Sequence, residues 1–471
     1  MGTMNNFIKM NKKYLLWFAQ EHIEFRREEI MSLVSLFNIK MNFVEEPTLE
    51  QPFWVVEFLN EDDVHLLANR SVSLRSCIEL LTFAKSVKGL HENLKTFSTD
   101  YVKLLFDDNK SFKIEVETFG KHFTHSEKVN KLQAFDYLPY KGKVKLKDPD
   151  TLFYYIEYYG TDPTCPPKEP YDVYFGRWII NGLRQLVKKF SLKTRKFIGN
   201  TTMDPQLSFL MANQAKVKKG DLILDPFVGT GSLLISAAYF GGYILGTDID
   251  YLMLHGKTRP SRISQKVREK DESIKANMVQ YNLESQYLDV MVSDFAAWYW
   301  KDSLKFDAIL TDPPYGIREA TEKIGIHKEA YTISEEHLAT HIPAKIEYGI
   351  SQMYFDLLKF SCKHLKIGGR LVCWFPVFRE DYTVESLPSS NCLKLVANSE
   401  QILSKYTSRR LLTYEKIKEP GEVDLDNEIT IADFREKYFM LREETRKEKR
   451  IKKAQEKYEN YQQYLQKKEN K

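Results

Sequence analysis

Cysteine is scarce in this chain. Its 471 residues include five, Cys77, Cys165, Cys362, Cys373 and Cys392, an odd number with no CxxC pair. That pattern argues against a disulfide-stapled secreted scaffold and against a zinc ribbon, and it fits reduced thiols. Long apolar runs are also missing. The longest, Ser232 to Leu245, is broken by Gly241 and Gly242, so no stretch reads as a membrane span. The opening MGTMNNFIKMNKK lacks the apolar core of a secretory signal. The expectation is a cytoplasmic protein with no membrane partner.

Strong net charge is absent too. The formal net charge is +4, and residues 433–471 supply 13 Lys or Arg against 8 Asp or Glu, which leaves the rest of the chain at −1. A surface for nucleic acid must therefore be a local patch. The ten histidines are scattered. His337 and His341 have the spacing of a metal pair but lack an intervening Glu, so no metal site is expected.

What is present supports two or three folded domains, with 43% hydrophobic and 28% charged residues. Residues 1–95 read as a ferredoxin-like α+β domain, in which KKYLLWFA and FWVVEFL are strands and FRREEIMSLVSLFN has helical spacing. Residues 96–190 read as a small α/β RNA-binding domain. There SFKIEVETFG is a strand, SEKVNKLQAFDYLPY is helical up to Pro139, and KVKLKDPDTLFYYIEYYG forms two short strands around a Pro-Asp turn. RWIINGLRQLVKKF, residues 177–190, reads as a connecting helix. Residues 191–432 alternate apolar strand segments with helical ones, the pattern of a doubly wound, mostly parallel sheet. Residues 433–471 form a charged tail with helical character.

In such sheets ligands bind beyond the carboxyl ends of the strands, and four of the five strand segments there end in Asp. DPFVGTGSLL places Asp225 at a strand end, then Phe227, Gly229 and Gly231 in a tight loop before a helix. A dinucleotide fingerprint would need a third glycine where Leu234 stands, and a phosphate loop would need a lysine. A cofactor without a pyrophosphate, S-adenosylmethionine, suits what remains. Asp248, in GTDID, can hold ribose hydroxyls or cap a helix. Asp294, in VSDF, can accept from an adenine amino group or stand before a loop.

The most specific element is DPPY, Asp312, Pro313, Pro314 and Tyr315. An amine on a purine ring is a poor nucleophile because its lone pair is delocalised. A carboxylate and a backbone carbonyl on a proline-stiffened loop can accept its hydrogens and free the lone pair. Tyr315 can stack on an unstacked base. Lys193, Arg195, Lys196, Arg409 and Arg410 are candidate phosphate contacts, or else solvated charge.

With these motifs in view, the chain resembles the catalytic subunit of the eukaryotic tRNA (guanosine-10-N2)-methyltransferase. The family-like segments are KKYLLWFAQEHIEFRREEI, KFIGNTTMDPQLSFLMAN, GTDIDYLMLHGK, IKANMVQYNLE, DPPYGIRE, HIPAKIEYG and SRRLLTYEK. The resemblance implies that residues 96–190, around Lys113 to Tyr159, are a THUMP domain, and that a class I methyltransferase sheet follows. It also implies tRNA as substrate and a small zinc-binding activator subunit in a heterodimer. On it, Asp225, Phe227, Gly229 and Gly231 line the methionine part of the cofactor. Asp248 holds the ribose, Asp294 the adenine, and Asp312 to Tyr315 the target guanine. The alternatives are an adenine N6-methyltransferase, a protein-amide methyltransferase (whose loop opens with Asn where Asp312 stands here) and a non-catalytic tRNA-binding subunit.

Overall fold

A computed structural model describes residues 12–97, 101, 105, 109–326, 333–338, 341–421, 434–440, 450–451, 453–455 and 457–458. The chain divides into two compact units, residues 1–194 with 204–216, and residues 195–203 with 217–471.

The first unit contains β1 (Lys12–Phe18), α1 (Arg26–Phe37), β2 (Met41–Phe43), β3 (Phe53–Phe58), α2 (Glu61–Ala68) and β4 (Leu74–Ala84). It continues with α3 (Val87–Thr96), β5 (Phe112–Phe119), α4 (His125–Gln133), β6 (Thr151–Tyr158), β7 (Asp172–Asn181), a short α5 (Gln185–Lys189) and α6 (Pro205–Gln214). One seven-stranded sheet, ordered β2-β3-β1-β4-β7-β6-β5, runs through it.

This differs from the expected division at residue 95. β4 pairs with β1 on one edge and β7 on the other, both antiparallel. At eleven residues β4 is long enough to place Leu74 and Cys77 in one apolar cluster and Leu81 in the next. The two expected N-terminal domains therefore share a single sheet.

Two further expectations change. Arg177–Asn181 continue β7, and helix forms only at Gln185–Lys189. Pairing of Arg177 with both Glu79 and Glu61 supplies tertiary contacts that override a helix-compatible pattern. The lysine-rich segment before Thr151 makes a single bridge, Val144 to Phe112, instead of a strand. α4 starts at a capping box between Thr124 and Glu127 and ends at Gln133, six residues before Pro139.

α6 packs with α1, held by a buried carboxylate. Glu29 accepts from the amide of Val72 at 2.8 Å, the hydroxyl of Ser71 at 2.7 Å and the side-chain amide of Asn213 on α6 at 2.7 Å. Arg70 donates to the other end of the same amide, at 3.1 and 3.0 Å.

The second unit contains β8 (Leu222–Asp225), α7 (Ser232–Tyr239), β9 (Tyr243–Asp248), α8 (Tyr251–Leu254), α9 (Ile274–Gln280), β10 (Tyr287–Val292) and β11 (Phe306–Thr311). A hairpin of β12 (Glu322–Ile324) and β13 (Lys345–Glu347) follows, then α10 (Ile350–His364), β14 (Leu365–Phe378), β15 (Leu393–Ile402) and β16 (Thr407–Lys416). Its main sheet is ordered β10-β9-β8-β11-β14-β16-β15. Strands β10, β9, β8, β11 and β14 pair in parallel, and β16 inserts antiparallel between β14 and β15. The strand order reverses direction between β8 and β11, the place where open α/β sheets leave a crevice for a ligand. α10 covers one face with Met353, Tyr354, Leu357, Leu358 and Phe360. Of the expected C-terminal tail, residues 434–440 are helical and most of the remainder lies outside the described residues.

Candidate active site

The glycine loop connects β8 to α7. Its two glycines have positive φ, +49° at Gly229 and +76° at Gly231, a conformation L side chains pay to adopt. Asp225 is buried at the strand end. One of its oxygens, Oδ1, accepts from the Phe227 amide at 3.1 Å and from the Thr311 hydroxyl on β11 at 3.0 Å. Burial pushes its carboxyl up to about 8, with Asp248 and Asp312 adding to the rise. Asp248 ends β9 and accepts the amides of Gly229 at 2.8 Å and Asp250 at 2.9 Å. Burial raises it to about 6, against the pull of those two hydrogen bonds. Asp250 instead caps α8 through the Met253 amide.

Asp294 lies beyond β10. Its two oxygens accept from the amides of Ala296 at 2.9 Å and Ile324 at 2.7 Å, the latter from the hairpin strand β12. Each carboxylate oxygen keeps a second lone pair for another donor. Phe227 packs on Phe295 with ring centroids 4.9 Å apart, and Phe295 itself turns inward, onto Trp298 and Phe360.

Asp312 follows β11 directly, across the switch point from Asp225. The Tyr315 hydroxyl donates to its Oδ1, and Arg409 of β16 donates from Nη1 to Oδ2 at 3.1 Å. Burial raises the Asp312 carboxyl while Arg409 and Tyr315 pull it down.

The expected site residues Asp225, Phe227, Gly229, Gly231, Asp248, Asp294 and Asp312 to Tyr315 thus sit at the carboxyl ends of four strands of one sheet. The phosphate-contact group separates. Arg195 is 1% exposed and donates to the Ser232 hydroxyl at 2.7 Å, so it is corrected to an internal residue. Arg409 is corrected likewise, to a partner of Asp312. Neighbouring residues on a strand face opposite sides, so Arg410 points away and lies over the Tyr382 ring, 3.9 Å from its centroid. Lys196 pairs with Asp271, and Lys193 is exposed. Sequence reading missed Thr311 and the active-site placement of Arg409. The alternation of SRRLLTYEK as a strand was the available signal, since it puts one of the two arginines on the site face.

The residues present fit S-adenosylmethionine. A Cβ built on Gly229 meets nothing within 4 Å, so the loop leaves open space for a ligand beside its backbone. Asp225 and Asp248 offer acceptors there, with Phe227 as an apolar neighbour. Among the described residues no group of three or more His, Cys, Asp and Glu is placed to hold a metal ion, and no helix is long and apolar enough to cross a membrane.

The sheet order, the glycine loop and the DPPY turn at the switch point together define a class I methyltransferase that uses S-adenosylmethionine. Comparison with known proteins agrees. Residues 12–184 match the Tmrp11 THUMP N-terminal domain, and residues 193–340 match the RMKL-like methyltransferase domain. The chain is 46% identical over 437 residues to the tRNA (guanine(10)-N(2))-methyltransferase TRMT11 of Gallus gallus, covering 91% of this chain and 95% of that protein. The Homo sapiens protein of the same name is 44% identical, with the same shares covered. The Dictyostelium discoideum one is 35% identical over 86% of this chain and 82% of its own length. The chain belongs to the TRMT11 family.

Proposed function

We propose that the chain methylates the exocyclic N2 of a guanine in tRNA, at the tenth position for which its relatives are named. The observation that carries the reading is the position of Asp312, a carboxylate on a Pro-Pro turn beside the open glycine loop. When bound, S-adenosylmethionine supplies an electrophilic methyl group. Asp225 would line its methionine part, Asp248 would hold its ribose, and Asp294 its adenine amine. Asp312 and the Pro313 carbonyl accept the hydrogens of the guanine N2 and let that nitrogen pyramidalise. The Asp312 carboxylate is placed to take the proton that the nitrogen sheds. Tyr315 offers a ring for the base to stack on. Its hydroxyl sits on Asp312 in this arrangement, so the arriving amine replaces that donor.

The N-terminal unit, a THUMP domain, supports tRNA as the substrate. We also propose a small zinc-binding activator as partner, seated on the β10 edge of the second sheet. β10 is one of its two edge strands, and its Leu288, Met291 and Val292 are 51%, 38% and 46% exposed. An apolar open edge invites a second chain. A cytoplasmic location goes with this reading.

The test is methyl transfer from labelled S-adenosylmethionine to tRNA transcripts carrying guanine or adenine at position 10, by the protein alone and co-produced with the partner. Transfer to the guanine transcript only is the expected result. Asp312→Ala should lose at least roughly a hundredfold in turnover while keeping tRNA affinity. Near-normal turnover in that variant sinks the assignment, and partner capture that survives Met291→Lys sinks the edge-strand interface.

A further inference from the structure

We infer that Arg409 is the positioning residue of the Asp312 carboxylate: it fixes the orientation of that group and holds it in its ionised, hydrogen-accepting form for the amine. The inference rests on the methyl-transfer reading above and adds a residue to it.

Four elements restrain the guanidinium. Nη1 donates to Asp312 beyond β11, and Nε donates to Gln401 Oε1 on β15 at 2.7 Å. Nη2 lies 3.6 Å from the Met203 sulfur in the 195–203 segment. The guanidinium carbon sits 3.9 Å from the Trp374 ring centroid on β14. Only 13% of the side chain is exposed. A residue that grips phosphate presents its fork to solvent. This one has been turned inward and immobilised before any substrate arrives, so no ordering cost falls on the reaction.

The surroundings of Asp312 explain why a cation is needed. The titratable groups that bear on it are Asp225 at the end of β8, Tyr315 on its own turn, Tyr354 of α10, Cys373 of β14 and Arg409. Among these, Arg409 carries the positive charge. Without it, a carboxylate that burial already disfavours would gain a proton. A carboxylic acid points an O–H at the amine where an acceptor is required. Trp374 adds a further reason for arginine, because a planar cation stacks on an aromatic face while bonding sideways to a carboxylate.

The test compares Arg409→Gln, Arg409→Lys, Gln401→Ala and Asp312→Asn in the full chain, under conditions where the wild type methylates the transcript. Turnover, KM and tRNA affinity by filter binding are measured from pH 5.5 to 9. Arg409→Gln should lower kcat about tenfold or more at pH 7, leave KM and tRNA affinity within about twofold, and move the acid limb of kcat up by about one pH unit. Arg409→Lys should return the limb toward wild type with part of the rate. Gln401→Ala, an edge-strand change outside the core, should shift kcat in the same direction by less.

Weakened tRNA affinity with an unshifted kcat limb would make Arg409 a phosphate contact and overturn the inference. Inactive Asp312→Asn beside wild-type behaviour in Arg409→Gln overturns the inference alone, whereas active Asp312→Asn overturns the underlying reading. Should Arg409→Gln not fold, an unchanged limb in both Arg409→Lys and Gln401→Ala overturns the inference equally.

Discussion

The Asp248 carboxylate accepts the backbone N–H of Gly229 at 2.8 Å, so the strand end that would hold the ribose and the loop that would hold the methionine are one hydrogen-bonded unit. This couples cofactor affinity to the charge on Asp248. The carboxyl is raised to about 6, chiefly by burial. Ribose hydroxyls donate better to the ionised form, so affinity should strengthen as pH rises through about 6. Calorimetry should find S-adenosylmethionine roughly tenfold weaker at pH 5 than at pH 7, the ratio of ionised fractions. The profile should flatten in Asp248→Asn. A flat wild-type profile would rule out this coupling.

Asp225 should cost the protein stability. Its carboxyl is raised to about 8, well above the value of an unfolded chain. Between roughly pH 4 and pH 8 the folded state holds a proton that the unfolded state releases. Stability from this group is therefore fullest below about pH 4 and declines as pH rises through that window. Both hydrogen bonds fall on Oδ1, which an Asn carbonyl can replace. Asp225→Asn should be more stable than the parent by roughly 1–3 kcal/mol at pH 8 and by little at pH 5. Denaturant melts without cofactor, at both pH values, check the difference. The variant should bind cofactor less well.

The two loop glycines should respond differently to alanine. At Gly231 a Cβ would lie 2.8 Å from Ile274 Cγ2, on a backbone with φ +76°. Gly231→Ala should destabilise the fold by about 1–3 kcal/mol. At Gly229 the added carbon enters open space. Gly229→Ala should cost about 1 kcal/mol of stability but a larger share of cofactor affinity, because the methyl occupies ligand space. Thermal melts paired with cofactor titrations separate the two effects, and equal affinity losses would contradict the assignment of space.

Glu29 should be the weak point of the N-terminal unit. Its buried carboxylate gathers donors from Ser71, Val72 and Asn213. Glu29→Ala strands those donors and should destabilise by about 3 kcal/mol. Asn213→Ala should cost less, since Glu29 keeps its contacts near residue 72. A denaturation midpoint unchanged in Glu29→Ala would refute the ranking.

The sequence by itself determined the chemistry held within short segments. Glycine spacing, a proline-stiffened turn and Asp at successive strand ends are set by bonds within a few residues. They mark out the parallel sheet, the candidate cofactor loop at Asp225 to Gly231 and the DPPY turn before any tertiary contact is known. Tertiary structure alone decided the rest. The shared N-terminal sheet exists because β4 offers both edges for pairing, and no periodicity in LRSCIELLTFA names its neighbours. Arg177–Asn181 became strand because their partners lie some hundred positions earlier. Arg409 and Arg410 are indistinguishable as letters, yet the pleat of β16 sends one to Asp312 and the other to Tyr382. Hydrogen bonds and ion pairs between distant segments depend on which strands become adjacent, and that is settled by the collective burial of apolar surface, not by the local pattern around either residue.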